Sequence, residues 1–381
     1  MKITDVRAIV VGNPWKNWVF VIVETDEGIT GLGEATGGLQ TTPRVASVEE
    51  SKHLVIGRDP RNVHEIWNHL YLSGFLNISP AMAGIEMACW DILGKSMGVP
   101  VYTLLGGKVR NEVRVYANGW YSGDRTPEGF AEKAREVVDK GYTALKFDPF
   151  GTAYMMMSRD AHKECQAIVG AVREAVGDSV DLLIEAHDRF GVGTAVAIGR
   201  WLADYEVTLF ETPVLSNDIG ALISVAEKVP VRVIAGERMH ELHDFARFLA
   251  ADVTDVINPE PLGVGGIWRT LQVAALARAH HAELALHNAE SPLKTMVALQ
   301  ICAVTPNIFI QECFDDFLEP WTEDVLKGYM RVENGHLQMP DAPGLGVELN
   351  EVEAAKHPYG ETHFLRMFEP GWERRDVAEG G

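Results

Sequence analysis

After residue 112 one theme repeats eight times: a short apolar run, a polar residue where it stops, then a stretch with helical periodicity. The runs are VRVYAN (113–118), TALKF (143–147), DLLIE (181–185), VTLFE (207–211), VRVIAGE (231–237), TDVIN (254–258), ELALH (283–287) and IFIQE (308–312). Runs this short and this apolar read as strands buried on both faces. The segments between them read as helices. In PEGFAEKAREVVDKG, Thr126 is placed to cap, Pro127 to sit in the first turn and Gly141 to end the helix. Eight strands alternating with helices predict an α/β fold closed into a parallel, TIM-like barrel. A doubly wound open sheet alternates in the same way, but it normally carries GxGxxG after its first strand, and here that turn reads YANGWYSGD.

The first part of the chain is of another kind. VRAIVV, WVFVIVETDEG and ITGLGEA, within residues 3–35, predict a small antiparallel sheet with Asp26-Glu27-Gly28 as a turn, and residues 43–105 are helical in pattern. At 381 residues the chain exceeds a single small core. The expected organisation is an α+β capping domain over 1–112 and a barrel over 113–349. The Pro-, Gly- and charge-rich segment 350–381 would return over the cap.

Charge and cysteine usage narrow the partners. With 34 basic and 54 acidic residues the net charge is −20. That argues against nucleic acid and against anionic membranes as partners, since both attract basic surfaces. Cys89, Cys165, Cys302 and Cys313 have no paired spacing and read as reduced, buried thiols. The N-terminus carries no long apolar segment and no later run approaches a membrane span, so a cytoplasmic enzyme is expected.

The polar residues at the strand ends are the chemical signal. In order they are Lys146 and Asp148, Glu185 and His187, then Glu211, Glu237, Glu260, His287 and Glu312. In such barrels these positions face the active site. Glu185, Glu211 and Glu237 follow at intervals of 26 residues, the length of a βα unit, which predicts one level on successive strands. Converging carboxylates repel unless a cation lies among them. Three Glu without Cys or His suit a hard divalent ion, Mg²⁺ above zinc. In DLLIEAHDRFG (181–191), Glu185 and His187 would point to the same side of a strand, two residues apart, while Asp188 and Arg189 read as plain loop charges, with holding His187 or the substrate as the alternative.

Taken together, LFETP, IAGER, INPEPLGVGGI, ALHN and IQE resemble successive strand ends of the enolase superfamily, mandelate racemase subgroup. GLGEA (31–35) and GIEMACWDILGKSMGVPVYTLLGGKVR (84–110) resemble its capping domain and linker. The resemblance implies a cap over a (β/α)7β barrel and a Mg²⁺ ion held by Glu185, Glu211 and Glu237, the first of these being Asp in most relatives. It implies a His287–Glu260 dyad as base, again with Glu where Asp is usual, and Glu312 as a hydrogen-bond partner of the substrate carboxylate or enolate. Many relatives carry Lys-x-Lys where this chain has Lys146 and Asp148. Losing the second lysine argues against racemisation, although a carboxylate base at Asp148 stays open, and Lys146 is left to hold an anionic substrate. His187 matches an acid of sugar-acid dehydratases similar to galactonate dehydratase.

The expected reaction is Mg²⁺-dependent dehydration of an aldonic acid such as galactonate or gluconate to a 2-keto-3-deoxy acid. An epimerase or cycloisomerase of the same superfamily is the alternative, as is a metal-dependent sugar-acid binder without catalysis. Trp15 and Asn17, with Asn13 and Trp18, lie in the cap loop where relatives close over substrate. The resemblance also implies a homo-oligomer, since relatives commonly form dimers or octamers.

Overall fold

The computed structural model describes residues 1–37 and 40–374, so the end of the returning segment, 375–381, lies outside the described residues. The chain opens with an antiparallel sheet of β1 (Ile3–Val11), β2 (Trp18–Thr25) and β3 (Thr30–Glu34), in that order. Helices α1 (Thr41–Val55), α2 (Val63–Ser73), α3 (Pro80–Met97) and the one-turn α4 (Val101–Leu104) follow. The α3 boundaries are written in its sequence: the Ser79 hydroxyl caps the N–H of Met82, Pro80 opens the helix, and Gly98 ends it in the left-handed region at φ 68. The glycines of GLGEA let β3 lie directly on α3. A Cβ at Gly33 would stand 1.9 Å from the carbonyl oxygen of Gly84, and one at Gly31 would stand 2.1 Å from that of Ala88.

The barrel runs β4 (Glu112–Ala117), α5 (Pro127–Asp139), β5 (Ala144–Phe147), α6 (Arg159–Val176), β6 (Asp181–Glu185) and α7 (Val192–Leu202). It continues with β7 (Leu209–Glu211), α8 (Ile219–Ala226), β8 (Arg232–Ile234), α9 (Leu242–Leu249), β9 (Val256–Ile257) and the one-turn α10 (Pro261–Val264). Then come α11 (Ile267–Ala279), β10 (Glu283–Leu284), α12 (Pro292–Val304) and β11 (Gln311–Cys313). Parallel pairing runs β11-β4-β5-β6-β7-β8, with β9 paired to β10. The ring closes where Asn258 N–H donates to Ala235 O at 3.3 Å and where Leu284 bridges Ile308. This is the expected (β/α)7β architecture.

One side chain per strand fills the barrel: Tyr116, Ala144, Leu183, Leu209, Ile234, Val256, Ala285 and Ile310 form a separate buried apolar cluster. The strands are shorter than their apolar runs. β8 stops at Ile234, and β9 and β10 have two residues each. Residues expected at the ends of these strands therefore sit on the turns beyond them.

Buried carboxylates join cap to barrel. Glu86 of α3 accepts from the N–H groups of Ile267 and Trp268, each at 2.9 Å, at the start of α11. Glu34, ending β3, accepts from the hydroxyl of Ser291, the N-cap of α12, at 2.6 Å. Beyond residue 350 the chain runs back along the β1–β2 loop, where Gly12 N–H donates to His357 O at 2.8 Å and Asn17 N–H to His363 O at 3.2 Å. All four cysteines are buried and free. Among the described residues no helix is long and apolar enough to cross a membrane.

Candidate active site

The period of two that fills the barrel also builds the layer above it. Two residues beyond each interior side chain come Asn118, Lys146, Glu185, Glu211, Gly236, Asn258, His287 and Glu312. These polar groups bond to one another around the ring. Lys146 Nζ lies 2.9 Å from Glu211, 2.7 Å from Glu312 and 3.5 Å from Glu185. The amides of Asn258 and Asn118 donate to Glu211 at 2.6 Å and to Glu312 at 2.7 Å.

Glu237 and Glu260 reach the mouth by a different route. Position 236 is Gly with φ 152, and the turn it makes delivers Glu237, one residue later than the strand period would. Glu260 is the N-cap of α10, with Oε1 accepting from Leu262 N–H at 2.9 Å. The equal spacing of 26 residues therefore does not put the three glutamates at one strand level. They converge nonetheless: Glu185, Glu211 and Glu237 each offer an oxygen within 4.8 Å of the others.

Burial and the nearby Glu185 charge hold the Glu211 carboxyl well above the usual range. Glu185 lies below it, because the charges of His187 and Lys146 outweigh the opposing effect of burial. Two buried like charges this close separate in this way even with the Lys146 ammonium beside both. An all-oxygen set that crowds three carboxylates fits a hard divalent ion, and Mg²⁺ is the ion of enolase-superfamily sites in general. The longer side chain at Glu185 is folded back, with Oε1 accepting from His187 N–H at 2.6 Å and from the Thr212 hydroxyl.

Two histidines border the same space, each with its own carboxylate. His287 Nδ1 is 2.5 Å from Glu260, and Lys294, fully buried, bonds both Glu260 and Glu290. Burial alone would lower the His287 pKa. The carboxylates of Glu237, Glu312 and Glu260 reverse this and lift it to about 9. His187 Nδ1 is 2.7 Å from Asp148, which also accepts from the guanidinium of Arg189.

Several placements depart from the sequence reading. Asp148 is 0% exposed and turned to His187 and Arg189, so it presents no base to the cavity. Arg189 is no loop charge: it is 1% exposed and also donates to the carbonyls of Ala186 and Gly151. Asp188 likewise pairs with Arg238 at 2.9 Å. His187 does not continue a strand. It and Asp188 are left-handed, at φ 49 and 61, and this turn aims the imidazole inward. Lys146 borders the cavity with its ammonium committed to three carboxylates. Glu312 is fully buried and does not line the cavity, its oxygens accepting from Lys146, Asn118 and the N–H of Asn288. Asn17 is turned away as well, its amide bonding Gly360 and His363.

The cavity between cap and barrel measures about 340 Å³. Glu185, Glu237, His187 and His287 border it from the barrel, and Trp15, Lys16 and Arg44 from the cap. Trp15 stacks on Phe314 with centroids 4.8 Å apart. Sequence reasoning missed Asn258, Glu290 and Lys294. Lys294 had a readable signal, as a lone charge in the apolar run PLKTMVALQ one turn beyond Glu290.

A capped eight-stranded barrel whose mouth gathers carboxylates and two paired imidazoles defines an acid–base enzyme of the TIM-barrel type. Residues 129–353 match the family model for the enolase C-terminal domain-like fold, and residues 10–106 match that for the mandelate racemase/muconate lactonizing enzyme N-terminal domain. The chain belongs to the mandelate racemase/muconate lactonizing enzyme family of the enolase superfamily. It is 36% identical over 364 residues to a D-gluconate dehydratase from Thermoproteus tenax, covering 94% of this chain and 73% of that one. With a D-gluconate/D-galactonate dehydratase from Picrophilus torridus it shares 33% identity over 94% of this chain and 93% of the other. The crystal structure of a mandelate racemase/muconate lactonizing enzyme from a Sulfitobacter species superposes with a TM-score of 0.89 at 32% identity, covering 97% and 98% of the two chains. The curated relatives are sugar-acid dehydratases, which are hydro-lyases.

Proposed function

We propose that this enzyme is a Mg²⁺-dependent dehydratase of an aldonic acid, gluconate- or galactonate-like, that forms a 2-keto-3-deoxy sugar acid. One observation carries the reading: two histidines, each held at Nδ1 by its own carboxylate, border one cavity beside a cluster of three glutamates. Elimination of water needs a base for a carbon acid and an acid for a leaving hydroxyl. The names of the relatives above point the same way.

Glu185, Glu211 and Glu237 would hold the ion, which when bound supplies electrostatic stabilisation for an enediolate. Glu260 keeps Nδ1 of His287 engaged and leaves Nε2 for the C2 proton of the substrate. As that proton leaves, its electron pair enters the C1–C2 system. It then forms the C2–C3 double bond while the C3–O bond breaks. His187, protonated at Nε2 and held at Nδ1 by Asp148, gives its proton to the departing hydroxyl, which leaves as water. The enol takes a proton at C3 and becomes the 2-keto acid. Lys146 holds the buried carboxylates in place, and Trp15 and Lys16 close the cavity from the cap. Racemisation would need a second base on the face opposite His287, and Asp148 is buried against Arg189.

The test is a screen of the purified enzyme with Mg²⁺ against aldonic and aldaric acids, reading 2-keto products with semicarbazide. An aldonate product abolished by EDTA is expected. Deuterium uptake at C2 from D₂O without any keto product would overturn dehydration in favour of epimerisation or cycloisomerisation.

A further inference from the structure

The returning segment does more than cover the cap. Past His363 it crosses to the barrel mouth, where Leu365 and Met367 border the active-site cavity. Phe368 lies over the Arg189 guanidinium at 4.5 Å from its ring centre. Trp372 is then buried to 3% exposure among the loops that follow β4, β5 and β6. Its ring meets His187 edge-on, with centroids 6.1 Å apart at 89°. It meets Tyr121 in the same manner at 6.3 Å.

The indole Nε1–H donates to the Gly151 carbonyl at 3.2 Å, and that carbonyl also accepts from Arg189 at 2.8 Å. Arg189 holds Asp148, and Asp148 holds His187. Trp372 thus reaches the same imidazole twice, by ring contact and through the carbonyl that anchors the Arg189–Asp148 pair. A buried tryptophan with its N–H satisfied is a rigid wall, and an acid catalyst needs its proton aimed at one oxygen and kept from water.

We infer that Trp372 is a positioning residue for dehydration: it fixes the His187 ring toward the cavity and screens it from solvent, while taking no part in removal of the C2 proton. The inference rests on the proposed role of His187, and its test separates the two. Trp372→Ala and Trp372→Phe are compared with the parent enzyme in three measurements: keto-acid formation, deuterium wash-in at C2, and the rate at which diethyl pyrocarbonate labels His187 by peptide mass mapping.

In Trp372→Ala, dehydration should fall about 10- to 100-fold while C2 wash-in stays within about twofold. His187 should be labelled several-fold faster, and Trp372→Phe, which keeps the ring edge, should recover most of both properties. Unchanged labelling of His187 in Trp372→Ala overturns the inference, as does a parallel loss of wash-in and dehydration. If the parent enzyme dehydrates no acid, the functional reading falls, and the labelling rate alone still decides whether Trp372 shields and fixes His187.

Discussion

Glu260 Oε2 stands 2.5 Å from Nδ1 of His287, so the carboxylate that caps α10 sets the tautomer of an imidazole lying beyond the next strand. The free nitrogen, Nε2, then faces Glu237 at 3.8 Å and Glu312 at 4.0 Å. If His287 is the base, His287→Asn should lower kcat by about 10³-fold, while calorimetric Mg²⁺ binding is retained and tightens near neutral pH, where the neutral amide replaces a charged ring. A loss smaller than about tenfold would remove His287 from that role.

The second pair, His187 and Asp148, should control the fate of the carbanion and not its formation. His187→Asn is expected to retain exchange of the C2 proton with D₂O and to lose keto-acid formation by about 10²-fold. Equal loss of both would mean that His187 acts before the enediolate forms.

Magnesium and the His287 proton should compete. Without a bound ion, burial is outweighed by Glu237, Glu312 and Glu260, and the ring pKa stands at about 9. A cation on Glu237 would cancel the largest of the raising charges. The pKa should therefore fall when Mg²⁺ binds, and affinity for Mg²⁺ should tighten as pH rises from about 7 to about 9. Titrating the ring protons by NMR with and without Mg²⁺ measures this directly, and identical curves would contradict it.

Glu34, between the hydroxyls of Thr36 and Ser291, gives the cap–barrel junction a pH dependence. Burial raises its pKa from 4.5 to about 7. The folded chain therefore keeps this proton to higher pH than the unfolded chain does. The contribution is complete below pH 4.5 and is lost as pH rises through about 7. Glu34→Gln, which stays neutral, should gain stability relative to the parent between pH 5 and pH 8, by about 3 kcal/mol at most. Urea midpoints at the two pH values give the difference, and parallel behaviour would show that Glu34 is ionised throughout.

The barrel was legible because its strands are buried on both faces, which leaves an apolar run wherever a strand passes. The polar layer was legible where it obeys the period of two: Lys146, Glu185, Glu211, His287 and Glu312 follow directly from the residues that fill the barrel. Asn258 obeys the same rule and was passed over because an amide carries no charge to notice. Glu237 and Glu260 were found for a reason the structure does not share, since they arrive by a glycine turn and a helix cap. What sequence could not give was which partner each group meets. Asp148 and Arg189 lie 41 positions apart, and their pairing depends on a left-handed turn at His187 and Asp188 that no local propensity announces.

The loop joining β1 to β2 is fastened by Gly360 and His363, residues that lie 343 and 346 positions after Asn17 and are made long after it. During synthesis the barrel can close while that loop still lacks its anchor and the mouth stands open to the surrounding water. Carboxylates and imidazoles would then be in place with nothing to hold a sugar acid against them. The order of translation thus delays catalysis until the segment that carries Gly360 and His363 has left the ribosome.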